Sequence, residues 1–543
     1  MNRKRLGQRI FLQIAVAATI LSLLVGCASS PPLAATAKPA ETPNTTAAST
    51  QAPSNQPAAT AGSAKSEKTL TIGFHQEPQL LDPVSNTTAS YQTITASTIE
   101  QLIYFGADSS KYEPGLATSW KWIDPTTLEL KLREGVKFSN GEDFDAESAA
   151  YSIGLLLGSK AYAMWTSDLA GAEAVDKYTV HLKTKRQTGL AIGALARGGF
   201  MYPKKYHQEV GADKFGTAPI GTGPYKFREW QKGSQLIFDA NPGYWGGTPK
   251  LARIVWRIIP EEAARVAALQ AGEVQLITNL STASTGRIRG DSNLELVSIP
   301  GLRMFGSFFD MQIDHPVQNK LVRQALNYAV DKDALVKLYG GDATVLQGQW
   351  LTPMVAGFNP NLKPYPYDPK KAKELLAQAG YANGFETTLS YTIDRYPLDK
   401  EMGQAVSAYL EAVGIKVNQQ ALEYGKFRDN FRGGPGKAGP IYQWALLTPP
   451  DPGMTLNMWS KASVDYRRWP DDPVADGLLE AGAVETDESK RVEIYQKLVA
   501  HWYDDPFCIY LIVPNDLYGK TKSLKGWQPR ADQVVDLRAA ELQ

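Results

Sequence analysis

One stretch, residues 221–273, constrains the fold more than any other: GTGPYKFREWQKGSQLIFDANPGYWGGTPKLARIVWRIIPEEAARVAALQAGE. Gly221, Gly223 and Pro224 punctuate a turn ahead of the apolar run Tyr225-Lys226-Phe227. Lys232-Gly233-Ser234 then turns the chain into Leu236-Ile237-Phe238, so the two runs form a predicted hairpin. Asn241-Pro242-Gly243 is a further turn, and residues 254–259, IVWRII, are apolar enough for a strand buried on both faces. Pro260 suits the first turn of a helix, and Glu261 and Glu262 suit the positive end of its dipole. Gly272 stops that helix. Strands and helix in such close succession specify an α/β unit.

The same residues resemble those of the solute-binding proteins that serve ABC importers of peptides, nickel and some sugars. That family's pattern runs close to GTGPY-x-F, NP-x-YWGG-x-P and R-x-x-ALQ-x-GE-x-D; here Gln275 replaces the last Asp. Further matches lie at Leu81-Asp82-Pro83, at residues 115–148 (GLATSWKWIDPTTLELKLREGVKFSNGEDFDAES), and at VRQALNYAVDKDALVKLYGG from Val322. The resemblance spans nearly all of residues 70–530. It implies a two-lobed α/β fold like that of periplasmic binding proteins, built from three domains around a central ligand cleft. Domain I would comprise residues 68–107, 187–308 and 512–543, domain II residues 108–186, and domain III residues 309–511. The expected function is capture of a solute by lobe closure and delivery to an ABC permease.

Local signals fill in the elements. Thr69–Phe74 alternates as a strand, and residues 142–157 form a predicted helix after the Asn140-Gly141 turn. Apolar positions 321, 322, 325, 326, 329 and 330 repeat with a helical period. Asp331 and Asp368 are placed to cap helices, the latter with Pro369 at the first position. Residues 507–513, FCIYLIV, form one buried strand, in which Cys508 serves as a small hydrophobe.

The N-terminus carries an address. Arg3, Lys4, Arg5 and Arg9 precede an apolar core over residues 10–25, the layout of a secretion signal. It ends Leu24-Val25-Gly26-Cys27, which resembles a bacterial lipobox, so residues 1–27 are the expected leader and Cys27 the lipidation site. Residues 28–67 are Ala, Thr, Pro and Ser with few bulky apolar side chains, a composition that does not offset its ordering entropy. Such a tether spans roughly 30–40 Å. An extracytoplasmic, lipid-anchored monomer follows as the expectation. With Cys27 lipidated, Cys508 has no partner for an intrachain disulfide.

Net charge is +1, which gives no reason to expect a nucleic-acid partner. There is no G-x-S-x-G, P-loop or HExxH, and His75, His181, His207, His315 and His501 are scattered. Neither an enzyme nor a metal or other cofactor is expected. A sensor or chaperone-like receptor on the same fold is the alternative, with a secreted hydrolase behind it. Asp504-Asp505 is expected to be a turn before a strand.

Candidate ligand contacts come from the resemblance. Arg395 stands in an R-x-P context where dipeptide-binding relatives hold the ligand carboxylate, a task suited to a guanidinium fork. Tyr162 or Trp165 would close over the ligand, and Thr87 and Tyr91 lie in a segment that faces it. Trp350 and Met354 match a proline-rich loop near the cleft, and Trp444 matches the Trp of W-x-x-DYPDP. In that motif the first Asp receives a peptide's α-amine; here the position falls on Leu447 or Thr448, and Asp451 matches the later Asp. A buried ammonium without a counter-charge is costly, so these residues favour a ligand without a free α-amine, such as a sugar oligomer, an opine-like conjugate or a blocked peptide. Di- and oligopeptides are the leading alternative.

Overall fold

The computed structural model describes residues 68–85, 89–106, 111–393, 395–448, 451–461 and 467–543. Cys27, the leader and the tether lie outside them, as does Thr87. Tyr91 falls in the helix Ala89–Thr95, but its side chain is outside the described set.

Three sheets organise the chain. An eight-stranded mixed sheet has Thr69–Phe74 near its middle, parallel to both Arg253–Ile258 and Leu276–Ile277. The predicted hairpin forms one side of it, Tyr225–Gln231 antiparallel to Gln235–Ala240, with a bulge between Phe227 and Glu229. A four-stranded antiparallel sheet is built from Ala117–Asp124, Thr127–Leu132, Thr179–Thr184 and Leu169–Asp176. A five-stranded sheet runs Lys416–Leu422, Glu386–Thr392, Ile441–Leu447, Arg303–Phe309, Cys508–Tyr510. The first two pairs of that order are parallel.

The structure corrects several local expectations. Arg253–Ile258 alternates, with Ile254 and Trp256 fully buried and Val255 only half-buried, because one face packs on the core around Phe74 and the other is incompletely covered. The helix expected from residue 142 begins at Ala146 instead. Asp145 caps it, accepting from the Ser148 amide while the Ser148 hydroxyl oxygen accepts from the Asp145 amide, a reciprocal capping box. The helix expected from Pro260 begins at Glu262, since the Arg265 guanidinium draws the carbonyls of Ile259 and Pro260 to itself at 2.9 and 2.6 Å. Asp331 and Asp368 cap their helices as expected.

The run at 507–513 splits. Cys508–Tyr510 pairs with Arg303–Phe309 in the five-stranded sheet, and Ile512–Thr521 pairs with Leu294–Pro300 in the eight-stranded one. Leu511 makes the crossing beside Gly301 and Leu302, which connect the partner strands. The two crossings lie close together: a Cβ on Gly301 would sit 2.5 Å from the Pro514 carbonyl oxygen. Cys508 is buried and free.

Three residues of the central stretch that match the family pattern converge on a carboxylate the sequence did not single out. Glu100 is buried, and it accepts from Thr222 Oγ1 at 2.7 Å and from Tyr244 Oη and Trp245 Nε1, both at 2.8 Å. Burial raises its pKa, and these three donors work against that rise.

Candidate functional site

A cavity of about 390 Å³ lies where the C-terminal ends of Thr69–Phe74, Leu276–Ile277 and Glu386–Thr392 converge, within the range of roughly 300–1,000 Å³ usual for small-ligand sites. The outer ends of parallel strands are the usual position for a ligand in α/β sheets. One wall belongs to the eight-stranded sheet: His75, residues 278–282 and residues 514–518. The facing wall carries Arg303, Phe305, Tyr339 and residues 395–398. Gln533 and Val535 complete it from the C-terminal segment.

Backbone strain is concentrated here. Among the described residues, the non-glycine positions with left-handed backbone are Asn279 (φ 56°), Leu398 (φ 63°) and Gln533 (φ 64°), and all three line this cavity. Each such conformation costs on the order of 1–3 kcal/mol and persists only where surrounding structure enforces it. The enforcement is visible. Arg265 binds the Asn279 carbonyl at 2.9 Å, and Glu262 accepts from the Ser281 amide and hydroxyl. The helix of the central stretch therefore shapes one cavity wall. On the other, the Asp399 carboxylate takes the Thr392 hydroxyl at 2.5 Å and the Tyr396 amide at 2.9 Å, and Tyr339 Oη donates to the Pro397 carbonyl at 2.8 Å.

The cavity is both aromatic and charged. The Arg395 guanidinium lies over the ring of Tyr424 at 4.5 Å, and Arg303 over Tyr396 at 4.7 Å, a stacking that orients both cations. Phe305 meets Tyr396 edge-on at 5.6 Å. His75 stays neutral at ordinary pH, because burial and the Arg265 charge lower its pKa to about 4. Burial raises the Asp516 pKa to about 6, against the pull of Gln533 and Arg303. His75 Nδ1, Thr278 Oγ1, Asn515 Oδ1 and Asp516 Oδ2 have no hydrogen-bond partner among the described residues.

Of the expected contacts, Arg395 lines this cavity. Trp350 lies in the core of the five-stranded-sheet region, fully buried against Phe308 and Trp459, and Met354 packs partly buried on the same core. Trp444 packs edge-on against Phe431 and Phe427. Thr448 is buried, its amide donating to the Leu302 carbonyl. Tyr162 is buried with its hydroxyl on the Pro83 carbonyl and the Gln92 amide.

Trp165 and Asp451 both lie elsewhere, where the four-stranded-sheet region contacts residues 451–491. The Trp165 indole donates to the Met454 carbonyl at 3.3 Å, and Met454 joins the hydrophobic core of that region. Asp451 holds Arg491 through two bonds, accepts from the Tyr112 hydroxyl at 2.5 Å, and caps the helix Pro452–Leu456. Burial pushes the Asp451 carboxyl up, but the Arg491 charge and these donors outweigh it and hold it below the ordinary range. Of the residues that line the cavity, sequence reasoning named only Arg395 as a ligand contact; Asn279, Arg303, Asp516 and Gln533 are among those it missed, because no local motif marks them.

These features define a class: a two-lobed α/β binding protein with a candidate ligand cavity between its sheets. The comparisons agree. Residues 111–466 match the model for bacterial extracellular solute-binding proteins, family 5, and the chain belongs to that family. It is 30% identical over 490 residues to the glutathione-binding protein GsiB of Escherichia coli, covering 85% of this chain and 92% of that one. HbpA2 from Haemophilus parasuis superposes with a TM-score of 0.79 at 24% identity, over 88% of this chain and all of that one. DppA from Helicobacter pylori, solved with the peptide STSA, gives 0.71 at 26% identity, over 88% and 98%. The chain is thus a solute-binding protein of the ABC-importer type, and its relatives are binding proteins rather than enzymes.

Proposed function

We propose that this protein captures a small peptide, peptide-like or oligosaccharide solute in the 390 Å³ cavity and delivers it to an ABC permease by lobe closure. The observation that carries the reading is the gathering of the three left-handed non-glycine residues found among the described residues around one cavity that also holds two stacked arginines. The crossings at Gly301-Leu302 and Leu511 are short enough to serve as a hinge between the lobes. The three sheets favour three domains, with two boundaries moved from those expected: Arg303–Phe309 pairs in the five-stranded sheet, so the change from domain I to III falls at Gly301-Leu302 rather than after residue 308, and Ala191, Ile192 and Leu195, expected in domain I, pack in the core of the four-stranded-sheet region. Arg395 is the proposed contact for an anionic group, and Trp165 and Asp451 act at the contact between domains II and III. Cys27 would hold the protein to the outer face of a membrane through lipid. The test is a thermal-shift screen of peptides and oligosaccharides: a binding solute at 100 times its Kd stabilises by about 2.7 kcal/mol. A solute whose binding survives Arg395→Ala and Tyr396→Ala unchanged would place the site elsewhere.

A further inference from the structure

Met454 belongs to the short helix Pro452–Leu456 of domain III, yet its side chain is buried in the core of the four-stranded-sheet region. Asp451 aims it. One carboxylate oxygen accepts from the Gly453 and Met454 amides at 2.8 and 3.2 Å, while Arg491 of the same domain holds both oxygens. From domain II, Tyr112 donates to that carboxylate and the Trp165 indole donates to the Met454 carbonyl. Glycines let the two surfaces meet backbone to backbone. The Gly189 amide donates to the Ala483 carbonyl at 2.8 Å. A Cβ on Gly189 would sit 2.0 Å from the Glu485 carbonyl oxygen, and one on Gly453 would sit 2.5 Å from the Leu190 side chain. None of these residues lines the 390 Å³ cavity.

Resting on the lobe closure proposed above, we infer that this contact is a latch: Met454 enters the core of the four-stranded-sheet region as the lobes close, and Tyr112 and Gly189 hold it there. Movement about Gly301-Leu302 and Leu511 leaves the Asp451–Arg491 pair intact, because both residues travel with domain III. Opening instead returns the apolar Met454 side chain to water, which is unfavourable. The latch therefore biases the lobes toward the closed form through contacts that the solute never touches. Apparent affinity scales with the fraction of molecules in the binding-competent form, so the latch sets the strength of binding for every solute alike.

The test is a distance measurement between the lobes of the full chain in a Cys27→Ala background. Spin labels go on Val175→Cys and Lys373→Cys, both exposed sites, and Cys508 is buried and takes none. Without solute, wild type should populate the closed-form distance. Gly189→Ala should reduce that population tenfold or more, and Tyr112→Phe should reduce it in part. The nearest atoms to the added methyl are all on Glu485 and Arg491, so Gly189→Ala should keep the far-ultraviolet circular dichroism of wild type. Calorimetry with Ala-Leu and N-acetyl-Ala-Leu should show both weakened by the same factor as the closed fraction. An unchanged distance distribution in Gly189→Ala overturns the latch. So does unfolding of that variant, because the contact is then a fixed core, and so does a solute-free wild type that is wholly open. If neither peptide nor maltotriose binds, the solute reading falls, and the distances still decide the latch.

Discussion

Asp451 and Arg491 form a two-bond ion pair, Nη1 to Oδ2 at 2.8 Å and Nη2 to Oδ1 at 2.9 Å, with both side chains almost wholly buried. Tyr112 reaches the same carboxylate from the segment preceding the four-stranded sheet. Removing one partner strands a buried charge, so Arg491→Met should destabilise by about 3–5 kcal/mol. Asp451 is held below its ordinary pKa, so its stabilisation is present above the unfolded value and lost as pH falls through the folded one. Denaturant melts should show the loss; a change under about 1 kcal/mol would reduce the pair to a surface-like contact.

Arg265 ties the central helix to the cavity wall through the carbonyls of Ile259, Pro260 and Asn279. Arg265→Ala leaves three carbonyls without that donor, and hydrogen bonds to charged groups are worth about 1.5–3 kcal/mol each. The variant should be less stable and bind its solute more weakly, with faster amide exchange at residues 278–282. Unaltered exchange there counts against the buttressing role.

Arg395→Ala should weaken binding of an anionic solute by about 1.5–3 kcal/mol and leave the fold intact. Its guanidinium stacks on Tyr424 and Tyr396 at the cavity and fills no core. Calorimetry beside a thermal melt separates the two effects, and equal affinity for wild type and variant removes Arg395 from the site.

His75 is lowered from 6.5 to about 4 in the folded protein. Between those values the unfolded chain binds more protons, so stability rises with pH across the window and is lost as pH falls through it. At most about 3.4 kcal/mol is involved. His75→Gln should flatten the stability profile between pH 4 and 6.5, and an unchanged slope would mean that another group sets it.

Cys27 ends a lipobox-like run behind a basic leader. Acylation at Cys27, and release of Cys27→Ala protein to the medium, are the expected results. Intact mass of membrane-extracted protein decides the matter: an unmodified Cys27 rules out the anchor.

Most of the elements and the class were legible in the sequence, although two helix starts and the division of residues 507–513 between two sheets were not. Turn chemistry at Gly221–Pro224 and Asn241–Gly243, the caps Asp331 and Asp368, and the helical period at 321–330 are local, and each appears in the structure. Arg395 was legible because its motif is contiguous. The rest of the cavity was decided by tertiary structure. Asp516 and Arg303 belong to strands of different sheets, and Asn279 and Gln533 are brought together only when distant segments fold. The same holds for Glu100, whose three donors come from residues 222–245. Local propensity fixes an element within a few turns of chain, whereas a ligand cavity is made by side chains whose proximity arises from long-range packing. Asp451 shows the difference most directly: its motif suggested a ligand contact, and burial beside Arg491 and Tyr112 committed its carboxylate to the protein itself.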